Sequence, residues 1–173
     1  MLRQGEFSWS FDGGGAAWYA KGNSFTANIR LTIPGGERGC LWSVSLDGVS
    51  DGELICYLEP ELARPADYGA HPSYSKLSLE SHALDRGVSF SRRPRAGDRT
   101  ASLAVLWDRA ETRWDTSREK ALGRGGLRSL DWVLEKPLKE TAGAVVDPCL
   151  LVRFPLSGGG THHRLRLALG FEE

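Results

Sequence analysis

The sequence predicts an all-β protein, an antiparallel β-sandwich of jelly-roll-like architecture with about 10–11 strands and one short helix. Apolar and polar residues alternate with a period of two along most of the 173 residues, and glycine clusters interrupt the alternation at short intervals. A period of two places successive side chains on opposite faces of a strand. The length corresponds to about one domain, so we expect a single domain over residues 1–173.

The clearest alternation covers residues 25–33, where five apolar residues face one way and four polar residues the other. Segment 6–11 places three aromatic side chains, Phe7, Trp9 and Phe11, on one face. Further strands are predicted at 40–46, 54–58, 77–79, 88–90, 101–107 and 130–134. The tryptophans on these apolar faces are interpreted as core residues: Trp9, Trp42, Trp107 and Trp132.

The single predicted helix lies near residues 116–122. Thr116 and Glu119 match a capping box, in which a hydroxyl and a carboxylate accept hydrogen bonds from first-turn amides. Gly123 stands where a C-terminal cap would fall. The helix would have about two turns and leaves the class all-β.

The last two strands, 149–155 and 161–171, flank a Gly-rich segment and are predicted to form a hairpin. This register sets Arg153 opposite Arg164, and like charges directly opposite each other are destabilising. Either carboxylates of a neighbouring strand neutralise them, or Arg153, His162, Arg164 and Arg166 form an anion site.

Charge is distributed unevenly although the net charge is zero. Residues 1–85 carry 6 basic and 11 acidic residues, a net of −5, and residues 86–173 carry 16 basic and 11 acidic residues, a net of +5. The sequence therefore favours a non-catalytic protein-interaction or assembly module that binds a protein partner or itself through an Arg-rich surface. The alternative is that these charges are simply solvated. The residues of that surface are Arg92, Arg93, Arg95, Arg99, Arg153, Arg164 and Arg166.

Three aromatic residues outside the predicted core are candidates for stacking on a ligand. Trp18 and Tyr19 lie between Gly-rich turns, and Trp114 precedes the predicted helix. Aromatic side chains can stack on sugar rings, so a carbohydrate-binding β-sandwich module is the second hypothesis for function. An enzyme whose site is assembled from residues distant in sequence is the third.

No metal or cofactor site is predicted beyond one weak calcium candidate, Asp47, Asp51 and Glu53, whose spacing does not match an EF-hand loop. The three cysteines show no CxxC spacing, which argues against zinc and favours free buried thiols. Nucleotide-binding glycine loops and the nucleophile elbow of serine hydrolases are absent from the sequence.

The sequence predicts a cytoplasmic protein. No apolar run reaches the ~18 residues of a membrane span, and the N-terminus lacks the apolar stretch of a secretory signal. Because the net charge is zero, neither a membrane nor a nucleic acid is the expected partner.

Overall fold

The computed structural model describes residues 6–60, 62, 79–92, 101–123, 135, 137–144, 147–156 and 162–172. These residues form antiparallel strands in two packed sheets, with one short helix, which confirms the predicted all-β sandwich. The strands are β1 Glu6–Asp12, β2 Gly15–Lys21, β3 Thr26–Thr32, β4 Gly39–Asp47, β5 Glu53–Leu58, β6 Leu79–Leu84, β7 Gly87–Arg92, β8 Ser102–Trp107, β9 Arg113–Ser117, β10 Gly143–Ala144, β11 Pro148–Pro155 and β12 His162–Glu172.

The two sheets differ greatly in width. The large sheet has nine strands in the order β1-β2-β3-β4-β12-β8-β7-β6-β10, and the small sheet has three in the order β5-β11-β9. With about 4.8 Å between neighbouring strands, nine strands span about 38 Å and three strands about 10 Å. The small sheet therefore cannot cover one whole face of the large sheet.

The core lies between the small sheet and the middle of the large sheet. Phe90 of β7 and Phe154 of β11 are completely buried there, and Phe154 packs edge-on against Trp107 at a ring-centroid distance of 6.3 Å. A second cluster lies on the outer face of the small sheet, where the helix covers Cys149 and Leu151. Since β11 is buried along nearly its whole length, it is the central strand of a sheet covered on both faces.

The predicted C-terminal hairpin is wrong. β11 pairs with β5 and β9 in the small sheet, whereas β12 pairs with β4 and β8 in the large sheet. Arg153 is therefore opposite Ile55 and Arg113, and Arg164 is opposite Ser45. β11 is apolar on both faces, so packing between two layers prevails over the local turn between the two segments.

The helix, α1, covers Arg118–Leu122 and begins later than predicted. Thr116 belongs to β9, and its hydroxyl is hydrogen-bonded to the carbonyl of Thr141 at 2.6 Å and to the hydroxyl of Ser81 at 2.8 Å, so it caps nothing. The predicted C-cap is confirmed, because the Gly123 N–H donates to the Glu119 carbonyl at 2.9 Å. Within the described residues, no helix is long and apolar enough to cross a membrane.

Candidate functional site

The large sheet is covered in its middle and uncovered at one end. Strand register places Trp9, Trp18, Ile29 and Val44 in one row across β1, β2, β3 and β4. Trp9 is 68% exposed, Trp18 and Ile29 are half-buried, and Val44 is only 6% exposed. The row thus passes from an exposed residue on β1 to a buried one on β4.

We call the core-side face of β1–β3 the apolar wing. Phe7 and Phe11 flank Trp9 on β1 and are 62% and 78% exposed. Ile33, just after β3, is 56% exposed on the same face. The wing consists of Phe7, Trp9, Phe11, Ala16, Trp18, Ala20, Ala27, Ile29, Leu31 and Ile33. Its exposed part is β1 and Ile33, because Ala16 and Ala27 are buried and Ala20 and Ile29 pack against the core. Monomeric proteins rarely expose apolar faces of this kind without a function.

The turn between β1 and β2, at the edge of the wing, is determined by residues within and next to it. Asp12 ends β1, and its carboxylate accepts a hydrogen bond from the Gly14 N–H at 2.9 Å. Gly15 opens β2 at a position where a Cβ atom would lie 2.0 Å from the Leu31 carbonyl oxygen. Glycine at this position lets β2 and β3 approach closely enough to pair.

The other face of these strands is polar. Ser8 and Ser10 of β1 are exposed on it, and Tyr19 lies opposite Ser8. Trp18 and Tyr19 therefore point to opposite faces of the sheet and cannot form one stacking platform. Trp18 instead stacks on Trp42 at a centroid distance of 5.4 Å, with the rings 7° from parallel.

A half-open cavity of about 270 Å³ lies where the wing meets the small sheet. It separates β5 from β3, β4 and β12, so the apolar floor continues from the cavity into the wing. Its described lining contains no carboxylate and no histidine: Ile29, Trp42, Val44, Leu54, Ile55, Cys56, Tyr57, Leu58, Val105, Leu150, Val152, Leu167 and Leu169. Such a lining offers packing and no acid–base chemistry.

The edge of β5 that faces away from β11 carries no strand within the described part of the chain. The Leu156 N–H donates to the Gly52 carbonyl at 2.9 Å, which identifies a hydrogen-bonded pair at the start of the β5–β11 ladder. Because such pairs alternate in an antiparallel ladder, the backbone groups of Glu53, Ile55 and Tyr57 point to the outer edge. This edge can accept a further strand above the wing.

A comparison with known protein families shows which family this chain belongs to. Residues 2–165 match the family described as glycosyl hydrolase 94, supersandwich domain. The chain belongs to this family. No curated protein matches it. The two unequal sheets described above are thus those of a supersandwich domain from a glycosyl hydrolase family.

Among the described residues, the supersandwich domain does not bring the predicted arginines together. Arg153 lies on the small sheet, whereas Arg164 and Arg166 lie on β12 of the large sheet. Arg92 is buried beside Phe90 at the end of β7. The remaining candidates, Arg93, Arg95 and Arg99, lie outside the described residues.

Arg153 has an unusual environment among these residues. Its side chain is 8% exposed, and its nearest ion-pair partner is Glu53 at 3.9 Å. Its Nε and Nη2 atoms are buried and have no hydrogen-bond partner. A guanidinium with unpaired nitrogens contributes little to stability, because the lost hydration is not replaced.

The structure also shows the surroundings of the other residues that the sequence suggested as site residues. Trp114 is buried in the core and is not available for stacking on a ligand. Of the calcium candidates, Asp51 accepts a hydrogen bond from the Gly52 N–H, and Glu53 faces Arg153. Across the described residues, no group of three or more potential metal ligands comes together.

Two of the three free thiols are inert at neutral pH. Burial raises the pKa of Cys56 to about 11 and that of Cys149 to about 12, with nearby carboxylates Asp115 and Asp147 adding to the effect on Cys149. Burial and a hydrogen bond to Glu59 also raise the pKa of Tyr57. None of these groups ionises near neutral pH, so none is an activated nucleophile or base.

The apolar wing itself was not predicted from the sequence. Alternation assigned Phe7, Trp9 and Phe11 correctly to one face, and Trp9 was then interpreted as a core residue. Trp9 is exposed instead. The available signal was three aromatic residues in one terminal strand, but the pattern does not show whether a second layer covers them.

Proposed function

We propose that this chain is a non-catalytic assembly module of a glycosyl hydrolase 94 protein and that it acts by packing its apolar wing against another protein surface. The observation that carries the proposal is the exposure of Phe7, Trp9 and Phe11 on the core side of the large sheet. This role keeps the assembly function predicted from the sequence and moves it from the Arg-rich residues to the wing.

The chemistry of the wing favours a protein partner. Between Phe7 and Leu31, its only side-chain hydrogen-bonding groups are the indole N–H groups of Trp9 and Trp18. A sugar carries many hydroxyl groups, and an apolar face leaves them without partners. A second apolar sheet, in contrast, packs on such a face at about 10 Å without needing hydrogen bonds.

Solution mass tests this proposal. We would measure the mass of the wild type by light scattering, alone and mixed with a glycosyl hydrolase 94 catalytic chain that lacks its own supersandwich domain. The wild type should associate in at least one of the two samples, and Trp9→Lys should weaken that association by about tenfold or more because it places a charge in the interface.

A matched control separates the wing from the rest of β1. Ser8→Lys adds the same charge on the polar face of the same strand and should leave association unchanged. A wild type that stays monomeric alone and with the catalytic chain would refute the proposal. So would equal losses in Trp9→Lys and Ser8→Lys.

Saccharide binding is the second candidate function, supported by the glycosyl hydrolase family and by the exposed indole of Trp9. In this second candidate function, sugar rings stack on the aromatic side chains of β1 and not on Trp18, Tyr19 and Trp114. Titration with soluble glucose and xylose hexasaccharides should then shift the tryptophan fluorescence of the wild type. The shift should disappear in Trp9→Ala and persist in Tyr19→Ala.

A further inference from the structure

The outer face of the small sheet carries two arginines directly opposite each other. Strand register pairs Arg153 of β11 with Arg113 of β9, and residues opposite each other in an antiparallel pair lie on one face with Cβ atoms about 5 Å apart. Leu151, two residues before Arg153, belongs to the cluster under the helix, which identifies this face as the outer one. Like charges directly opposite each other destabilise a sheet unless an anion offsets the repulsion.

The two glutamates beside these arginines offset their charge only in part. Arg113 pairs with Glu140 at 3.5 Å, but both side chains are exposed, and solvent weakens such pairs. Glu53 approaches Arg153 through Nη1, at 3.9 Å, which is too long for a hydrogen bond. Glu53 thus places a negative charge near Arg153 without accepting a hydrogen bond from it.

A further carboxylate of this face already has its own partners. Asp115 follows Arg113 on β9 and is buried. Its oxygens accept hydrogen bonds from the backbone N–H groups of Ser117 and Lys139, at 2.9 and 3.1 Å. The Thr141 hydroxyl also donates to it, at 3.2 Å. Asp115 therefore holds backbone and hydroxyl groups around β9 and does not serve as the counter-ion of the buried guanidinium.

Two nitrogens of the Arg153 guanidinium lack hydrogen-bond partners. Nε and Nη2 are both buried, and no described residue accepts a hydrogen bond from either. In the planar guanidinium, the Nε–H and one N–H of Nη2 leave the same edge in parallel. A carboxylate binds to such an edge with both oxygens at once, through two charge-assisted hydrogen bonds. We call this edge, formed by Nε and Nη2, the Arg153 fork.

We propose that the Arg153 fork anchors a carboxylate-binding site on the outer face of the small sheet, with Arg113 as a second cation. A carboxylate on the fork satisfies both buried nitrogens and offsets the repulsion between the two arginines. A doubly charged phosphate fits less well, because Glu53 and Asp115 repel it about twice as strongly as a singly charged group. The site lies on the other sheet from the apolar wing and goes beyond the assembly role.

Two exposed side chains flank Arg153. The Arg153 side chain is 8% exposed, whereas those of Glu53 and Arg113 are 39% and 74% exposed. Long exposed side chains change rotamer within nanoseconds, so these two can open a path to the fork while the strands stay paired. A carboxylate on the fork is then shielded from water, which strengthens its hydrogen bonds.

The first experiment titrates isotope-labelled protein with acetate and follows the side-chain Nε–H resonance of Arg153 by NMR. We expect this resonance to shift and to saturate, with a dissociation constant of about 10 mM or tighter. Sodium chloride at the same ionic strength should not reproduce the shift. The variant Arg153→Lys lacks the resonance and thereby assigns it in the spectrum.

Arg153→Lys also tests the fork itself, because it keeps a positive charge and removes the parallel N–H groups. Acetate binding in this variant is read from the backbone amide of Ile55, which lies opposite residue 153 on β5. It should be about tenfold or more weaker than in the wild type. Circular dichroism verifies that the variant is folded.

Two variants that keep Arg153 maintain the test if Arg153→Lys does not fold. Arg113→Gln removes the second cation and should weaken acetate binding about threefold, because the charge that attracts the anion is lost. Glu53→Gln removes the carboxylate beside Nη1 and should strengthen acetate binding by a similar factor. The matched control is Arg86→Gln, which removes an exposed arginine that is paired with Asp85 between β6 and β7. It should bind acetate like the wild type.

The second experiment identifies the source of the carboxylate, which is either a small molecule or an acidic side chain of a partner protein. It replaces acetate with the glycosyl hydrolase 94 catalytic chain that lacks its own supersandwich domain. A shift of the Arg153 resonance that added acetate reverses would support the site with a partner's side chain as the ligand. Saturable binding of acetate without a response to the catalytic chain would support a small-molecule carboxylate.

Three results would overturn the proposal. The first is the absence of a saturable shift with both acetate and the catalytic chain. The second is acetate binding in Glu53→Gln but not in the wild type, because Glu53 would then occupy the fork in solution. The third is equal weakening in Arg86→Gln and Arg113→Gln, which would indicate a general effect of charge. Each of these results leaves the apolar wing unaffected, since Trp9→Lys tests the wing separately.

Discussion

The middle of the large sheet and the apolar wing show the same alternation of apolar and polar residues but very different burial. Val44 and Phe90 in the middle are covered by the small sheet, whereas Trp9 and Phe11 in the wing are exposed. The large sheet itself is continuous across the boundary, because each strand pairs with its neighbour from β1 to β12. The difference therefore comes from where the second layer ends, and it teaches that a period of two determines the face of a side chain but not its burial.

The largest expected effect contrasts a phenylalanine of the small sheet that packs on the middle of the large sheet with a phenylalanine of the wing. Phe154→Ala should lower the free energy of unfolding by about 3–5 kcal/mol, because it empties a completely buried position. Phe11→Ala should change it by no more than about 0.5 kcal/mol when measured on dilute monomer. Urea denaturation of both variants checks the contrast. A loss in Phe11→Ala close to that of Phe154→Ala would mean that the wing is already covered within one chain.

Gly15→Ala should produce an intermediate effect confined to the wing. A Cβ atom at this position would meet the Leu31 carbonyl, so β2 and β3 must separate locally at an expense of about 1–3 kcal/mol. Amide hydrogen exchange should accelerate in β1–β3 and stay unchanged in β11.

Gly14→Ala is the matched control for that variant, since the nearest atom to its Cβ would be 3.5 Å away. It should leave exchange in β1–β3 as in the wild type. Equal acceleration of β11 in Gly15→Ala would contradict the comparison, because the wing and the middle would then unfold as one unit.

The fold was predictable from the sequence where the signal is local. Alternation located most strands and their faces, as at Phe25–Ile33 and Phe7–Phe11, and Gly123 marked the end of the helix. The pairing of β11 and β12 was not predictable in this way. Strand partners depend on packing between layers, and the buried faces of β11 bind it to β5 and β9 instead of its neighbour in sequence.

The candidate site was less predictable than the fold. The period of two already implies that Trp18 and Tyr19 face opposite ways, so this part of the stacking hypothesis could have been corrected from the sequence. The burial of Trp114 and the separation of Arg153 from Arg166 depend on sheet membership. The exposure of Trp9 depends on where β5 ends the small sheet, which no local pattern records.

The smallest expected effect comes from two buried thiols of the small sheet, Cys56 on β5 and Cys149 on β11. Cys56 and Cys149 have pKa values raised to about 11 and about 12 by burial, from an ordinary value of 9.0. Below about pH 8 both thiols are protonated whether the chain is folded or unfolded, and their contribution to stability is complete. As the pH rises past 9, the unfolded chain loses these protons while the folded chain keeps them. The free energy of unfolding should therefore decrease, by at most about 1.4 kcal/mol per pH unit for each thiol.

Urea denaturation between about pH 8 and 9.5 reports mainly on the thiols, because Tyr57 and the lysines ionise mostly at higher pH even in the unfolded chain. Burial also raises the pKa of Cys40, which is present in every variant and so contributes equally to each profile. The double variant Cys56→Ala and Cys149→Ala should have a flatter pH profile than the wild type over this range. Trp9→Lys, which alters only the wing, should keep the wild-type slope. A double variant with an unchanged slope would show that the two thiols of the small sheet remain accessible to water in the folded chain, as the wing is.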